Sequence, residues 1–131
     1  MKGKYMKGRQ RMFIIDAMSR TPVYEQLIEQ VETMVLTGVM KAGDKMPSVR
    51  SLSGELSINP NTIQKAYAEL DRKGLIASVP GKGSFISENA MDIVGNDKRE
   101  QAADLKDIIG EMKLAGVAKQ EIMKIIEEVY G

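Results

Sequence analysis

Apolar residues recur along this chain at helical spacing, then briefly at strand spacing, then at helical spacing again. Val23, Leu27, Ile28, Val31, Met34 and Val35 fall three and four apart, the stripe of a helix with one buried face. Thr21 and Pro22 ahead of it form a start signal, a cap residue followed by Pro at the first helical position, and Gly38 is a stop. The pattern predicts a helix over 22–37, then a turn-rich connector over 40–47. Ser48 caps a second, short helix over 49–56, with Val49, Leu52 and Leu56 inward. Asn59-Pro60 repeats the start signal, and Ile63, Ala66, Tyr67 and Leu70 form the buried stripe of a third helix over 60–73, closed by Gly74.

The second and third helices are separated only by the junction from Leu56 to Asn59, the tight spacing of a helix-turn-helix. Two β-prone runs follow, 75–79 and 84–87, on either side of Pro80-Gly81-Lys82-Gly83. They predict a hairpin, with Phe85 turned inward, and a hairpin directly after a helix-turn-helix is a wing. Residues 88–98 are polar with no clear period and are read as a linker. Two more helical patterns follow. One, over 99–115, carries Leu105, Ile108, Ile109 and Met112; the other, over 118–130, carries Ile122, Ile125, Ile126 and Val129, and Gly116 separates them. No internal repeat is visible. The expected fold is mainly α with a small β-hairpin: a winged helix-turn-helix domain over 12–87, the linker 88–98, and a C-terminal helical hairpin over 99–131.

Composition removes several alternatives. The 131 residues contain no Cys and no His, so disulfides, zinc fingers, cysteine nucleophiles and Ser-His-Asp triads are impossible within the chain. Among the acids, Glu127-Glu128 are adjacent, and adjacent helical residues point about 100° apart, so they make no converging carboxylate pair. Gly81-Lys82-Gly83 leads into a strand rather than a helix, so it is not a phosphate-cradling loop of the nucleotide-binding kind. No enzyme and no cofactor are expected. No apolar run is long enough to span a membrane and the N-terminus lacks the apolar stretch of a signal peptide, so the expected location is cytoplasmic. The 10 Met residues read as flexible core filler or, as the alternative, as a Met-rich binding groove.

The net charge of +1 conceals an asymmetry. Residues 1–11 hold five basic residues and no acid, leaving 14 basic against 18 acidic residues, a net of −4, in the rest. Residues 1–11 read either as an N-terminal extension or expression leftover of no consequence, or as a basic arm that touches a DNA backbone. Within 38–87 the balance turns positive again, seven basic residues against four acidic.

The exposed side of the third helix then carries the candidate chemistry. Asn59, Asn61, Thr62, Gln64 and Lys65 lie at its N-terminal end, the part of a recognition helix that reaches base edges. Amide side chains donate and accept together, which suits adenine in the major groove; Asn59 can alternatively serve only as the cap. Arg50 stands in the first turn of the second helix, where the helix dipole disfavours a cation, so a DNA phosphate or guanine edge is its natural use. Gly81 and Gly83 let backbone approach a phosphate or the minor groove with Lys82 as the charge, or else simply make the turn. An RNA-binding module would be expected to expose aromatics for stacking. A protein-interaction adaptor would leave the polar helix face and the wing without purpose.

Taken in order, Pro22-Val23-Tyr24-Glu25-Gln26-Leu27, the connector from Gly38 to Pro47, Pro47-Ser48-Val49-Arg50-Ser51-Leu52, the run from Asn59 to Leu70, Lys73-Gly74-Leu75-Ile76 and Gly81-Lys82-Gly83-Ser84-Phe85-Ile86 resemble the GntR family of bacterial transcription regulators. The short helical tail resembles its YtrA subfamily. The resemblance covers about residues 13–87 without a gap. It implies DNA contacts by Arg50, by Asn59, Asn61, Thr62, Gln64 and Lys65, and by Gly81 and Lys82 in the minor groove. It also implies homodimers on inverted repeats, and repression of small operons encoding ABC transporters. The tail residues Leu105, Ile108, Ile109, Met112, Ile122, Ile125, Ile126 and Val129 would then make the dimer; the alternative is that the tail completes its own domain's core. Four positions depart from the family pattern: Ser53-Gly54, where a helix-favouring pair is usual, Ser57 at a turn position often held by Gly, and Pro60 in place of an Arg. The last affects which operator is read. No effector follows from the sequence.

Overall fold

The computed structural model describes residues 12–131. Residues 12–95 pack as one compact unit and those from Asn96 onward as a second.

In the first unit, α1 (Val23–Leu36), α2 (Val49–Leu56) and α3 (Pro60–Arg72) precede a hairpin of β1 (Ile76–Val79) and β2 (Gly83–Ile86), and α4 begins at Ala90. Helices α1, α2 and α3 each sit within two residues of their expected bounds, because their apolar stripes and stop signals agree. Leu27, Ile28, Val31, Met34 and Val35 of α1 meet Ile63, Ala66, Tyr67 and Leu70 of α3, Leu52 of α2, and Ile76 and Ile86 of the hairpin in one continuous core. Ser48 caps α2 by accepting from the Ser51 N–H at 3.0 Å, and Asn59 caps α3 by accepting from the Asn61 N–H at 2.8 Å. Thr21 is not the cap of α1; Pro22 holds that position with no side-chain bond, and the Thr21 carbonyl instead accepts from Gln26 Nε2.

The junction between α2 and α3 is a left-handed turn at Ser57, with φ 55°, closed by Ser53 Oγ donating to the Ile58 carbonyl at 2.6 Å. Tyr67 locks this corner to the connector: its buried hydroxyl donates to the Pro47 carbonyl at 2.6 Å, and burial pushes its pKa well above the ordinary tyrosine value. Glu32 of α1, almost fully buried, pairs with Lys73 at the end of α3 at 3.3 Å.

The hairpin is antiparallel with Ile76 opposite Ile86, Ala77 opposite Phe85, Ser78 opposite Ser84 and Val79 opposite Gly83. The segment before α2 lies along β2 as a short third member: Lys45 bridges Phe85, Met46 N–H donates to the Ser84 carbonyl, and Ile86 N–H donates to the Asp44 carbonyl. This register corrects the inward placement of Phe85. Ile76 and Ile86 take the core face, so Phe85, one residue away, stands on the opposite face and is only half-buried.

The stretch 88–98, expected to be a linker, is largely helical: α4 spans Ala90–Glu100. Ala90 and Val94 are buried and Ile93 packs against them and the core. The spacing of these three is an i, i+3, i+4 stripe hidden among polar neighbours.

The second unit holds the end of α4, then α5 (Ala102–Leu114) and α6 (Lys119–Tyr130). Ala118, just ahead of α6, donates its N–H to Glu121 Oε2 at 2.9 Å, which secures the start of that helix. No residue of α5 or α6 is buried. Among the described residues no helix is long and apolar enough to cross a membrane.

Candidate nucleic-acid interface

The first four residues of α3 past its cap are exposed or half-exposed except Ile63, which turns inward. Because 3.6 residues make a turn, an inward stripe of Ile63, Ala66, Tyr67 and Leu70 necessarily leaves Asn61, Gln64 and Lys65 outward, and all three are exposed. Thr62 is half-exposed. The Asn59 side-chain oxygen is committed to capping, and its amide group remains outside.

Two clefts flank this helix. On one side Asn61, Thr62 and Lys65 face Pro22, Val23 and Tyr24 at the start of α1 across an open cleft of about 670 Å³. Lys65 Nζ sits 3.9 Å from the centre of the Tyr24 ring, a cation–π contact that holds the ammonium beside the helix start while leaving the residue exposed. Tyr24 in turn donates its hydroxyl to Glu25, whose carboxylate raises the phenol's pKa. On the other side Gln64, Tyr67, Ala68 and Asp71 face Val49 of α2 and Ser78 and Ser84 of the hairpin across a groove of about 470 Å³. Arg72 also lines it and is bonded to Glu69, whose carboxyl it holds below the usual range.

Arg50 is exposed in the first turn of α2, next to Val49 at the groove's edge. The tip of the hairpin is a turn in which Lys82 N–H donates to the Val79 carbonyl at 2.9 Å. Gly81, after Pro80, has φ 78°, as the third residue of a type II turn requires. Lys82 and both flanking glycines are exposed. Lys82 and Arg50 line neither cleft; each is exposed on its own element, the hairpin tip and α2.

Sequence reasoning missed two contributors. Tyr24 was legible only as part of a helix start, yet it holds Lys65. Lys45 lies in the connector, but the bridge to β2 brings its Cε to 3.0 Å from where a Cβ at Gly83 would stand. Gly83 is favoured as glycine by its φ of 118°, and a Cβ there would also press on the end of the Lys45 side chain. The result is an exposed connector lysine that lies against the wing at Gly83, the residue after Lys82.

Residues 23–86 match the model of the bacterial regulatory proteins of the gntR family. The chain is also 43% identical to the HTH-type transcriptional repressor YtrA of Bacillus subtilis (strain 168) over 90% of its own length and 92% of that protein's. The chain belongs to the GntR family. Among solved structures, a transcriptional antiterminator from Listeria monocytogenes EGD-e superposes with a TM-score of 0.75 at 34% identity, covering 92% of this chain and 91% of that one. The DNA-binding domain of AraR in complex with its operator ORX1 superposes with a TM-score of 0.51 at 27% identity, covering 57% of this chain and 93% of that one. Like its GntR relatives, this chain is a DNA-binding transcription regulator of the YtrA type with a winged-helix fold, not an enzyme.

The residues expected to make a dimer lie in the other unit. Leu105, Ile108, Ile125, Ile126 and Val129 are exposed, and Ile109, Met112 and Ile122 are half-exposed. The basic stretch 1–11, read as a candidate backbone-binding arm, lies outside the described residues.

Proposed function

We propose that this chain is a cytoplasmic repressor that binds a palindromic operator as a homodimer and silences a small operon, such as one encoding an ABC transporter. The observation that carries the reading is the exposed N-terminal end of α3, where Asn61 and Gln64 project outward beside Lys65, itself resting on Tyr24. In this reading Asn61 and Gln64 read base edges, adenines above all. Thr62, Lys65 and the free amide of Asn59 set the helix on the phosphates. Arg50 takes a guanine edge or a phosphate, and Gly81 and Lys82 enter the minor groove. The operator complex of the related AraR domain supports duplex DNA as the partner, and the repressor name of the Bacillus relative supports the sign of regulation.

The homodimer rests on the tail. α5 and α6 each carry an apolar stripe, and neither helix buries a residue. Two hairpins packed together bury four stripes, as in a four-helix arrangement. The two-fold axis of such a pair places two recognition helices on inverted half-sites about one helical turn apart.

Selection of bound duplexes from a random pool tests the proposal. It should return an inverted repeat with adenines in each half-site. Recovery of a single unrepeated site refutes the dimeric operator. Equal retention of single-stranded RNA in competition refutes the duplex-DNA partner.

A further inference from the structure

The wing is held to the recognition helix by a polar chain that base reading does not require. Ser78 Oγ donates to Asp71 Oδ2 at 3.1 Å, and Ser84 Oγ lies 3.3 Å from Ser78 Oγ. Ser78 and Ser84 are cross-strand partners, so their side chains share one face of the hairpin. A hydroxyl has one proton, and a carboxylate only accepts. Ser78 gives its proton to Asp71, so the proton between the two serines comes from Ser84. The chain runs in one direction, from Ser84 through Ser78 to Asp71, and ends on a charge, which strengthens it.

Asp71 stands in an electrostatically unfavourable place. It is in the last turn of α3, where the helix dipole disfavours an anion, and it lines the groove that also holds Gln64. A carboxylate there repels incoming phosphates. Apolar packing does little to fix the hairpin's outer half: Ile76 and Ile86 at its base are buried, whereas Ala77, Ser78 and Val79 are exposed. Asp44 and Met46 fasten β2 through the backbone, but β1 beyond Ile76 has only β2 beside it. The Asp71–Ser78–Ser84 chain reaches this outer half, midway between the buried base and the Gly81–Lys82 tip.

We infer that Asp71 is a positioning residue for the wing. Through Ser78 and Ser84 it sets the angle of the hairpin against α3, and thereby the register in which Lys82 meets the minor groove while Gln64 meets the major groove. This rests on the reading of Lys82 as a DNA contact given above.

The test uses the full chain, the operator recovered from the random pool, and dimethyl sulfate, which reports guanine N7 in the major groove and adenine N3 in the minor groove. Asp71→Ala should weaken operator binding by about three- to tenfold. It should expose minor-groove adenines under the wing while major-groove protection under α3 persists. Asp71→Asn keeps an acceptor oxygen and should restore binding and protection. Ser78→Ala should reproduce Asp71→Ala, and the double variant should be no worse than either. The loss from Asp71→Ala should fail to add to that from Lys82→Ala but add fully to that from Gln64→Ala. Full additivity with Lys82→Ala, or no rescue by Asp71→Asn in a chain of unchanged unfolding midpoint, overturns the positioning role alone. A Lys82→Ala variant with unchanged affinity overturns the wing contact, and the positioning role with it.

Discussion

Lys65 rests its ammonium over the ring of Tyr24, 3.9 Å from the ring centre, and so ties the start of the recognition helix to the start of α1. The contact pre-orders a flexible side chain on the face proposed to meet phosphate. An exposed cation–π pair contributes about 0.5–1 kcal/mol, or roughly two- to fivefold in affinity if it is needed in the complex. Tyr24→Ala should therefore weaken operator binding by that factor, and Tyr24→Phe, which keeps the ring, should not. The Ala losses at 24 and 65 should fall short of additive in gel-shift titrations. Equal effects of Ala and Phe at position 24 would show that the hydroxyl matters rather than the ring.

In the proposed complex the exposed polar residues divide into readers and neutralisers. Arg50→Ala should cost ~1–3 kcal/mol of operator affinity with little change in melting temperature, because the residue is exposed. Asn61→Ala and Gln64→Ala should relax base preference in a repeated pool selection. Lys82→Ala and Lys45→Ala should instead weaken all duplexes alike and reduce the salt slope by ~1 for each phosphate no longer neutralised. An unchanged consensus after both amide substitutions would remove α3 from base reading.

Local strain in the helix-turn-helix gives a stability prediction. Gly54 lies within α2 with open space around the position a Cβ would take, and Ser57 adopts φ 55°, a conformation glycine tolerates better. Gly54→Ala should stabilise the domain by about 0.5–1 kcal/mol, and Ser57→Gly by up to ~1 kcal/mol. Denaturant unfolding of each variant reads this directly, and a lower midpoint for Gly54→Ala would mean that α2 needs its flexibility.

These two positions also show what could be read before folding. Helices α1 to α3 were legible because cap, stripe and stop agree within each, and the outward face of α3 follows from its inward stripe. The wing's facing was not. A four-residue strand offers two residues per face, and Ile76-Ala77-Ser78-Val79 does not alternate cleanly. Helix α4 was hidden because Gly95, Asn96 and Asp97 dilute its short stripe, and its buried side exists only where the core accepts Ala90 and Val94. Tyr24 and Lys45 join the candidate interface through contacts between elements, as Asp71 joins the hairpin through Ser78, and no periodicity within one element reveals such contacts.

Tyr67 predicts an alkaline limit to stability. Its buried hydroxyl holds the Pro47 carbonyl, and burial raises its pKa above the unfolded value near 10. The folded state therefore keeps a proton that the unfolded chain releases. Its contribution is complete below pH ~10 and is lost as pH rises above that value. Tyr67→Phe should cost about 1 kcal/mol at neutral pH by orphaning the carbonyl, and should flatten the fall in stability above pH ~10. An equally steep alkaline fall in the Phe variant would assign the effect to other groups.

In the proposed dimer the tail decides whether one winged unit suffices. A single unit makes few base contacts, and tethering a second raises its effective concentration toward the millimolar range, a gain of ~10²–10⁴ in operator affinity. Ile125 is exposed on α6, in the same stripe as Ile122, Ile126 and Val129. A glutamate there adds a charge to the surface that pairing would desolvate, at a smaller cost to the isolated hairpin, where the side chain is half exposed. Ile125→Glu should therefore give a folded monomer in sedimentation that still binds duplex weakly but has lost the inverted-repeat preference. Truncation after Gly95 should do the same, because it retains Ala90, Ile93 and Val94 in the core; truncation after Glu88 would remove all three and confuse unfolding with loss of the dimer. A dimeric Ile125→Glu protein that binds the operator at full affinity would place the dimer seam outside the tail. A monomer with full affinity would mean that one winged unit recognises its site unaided.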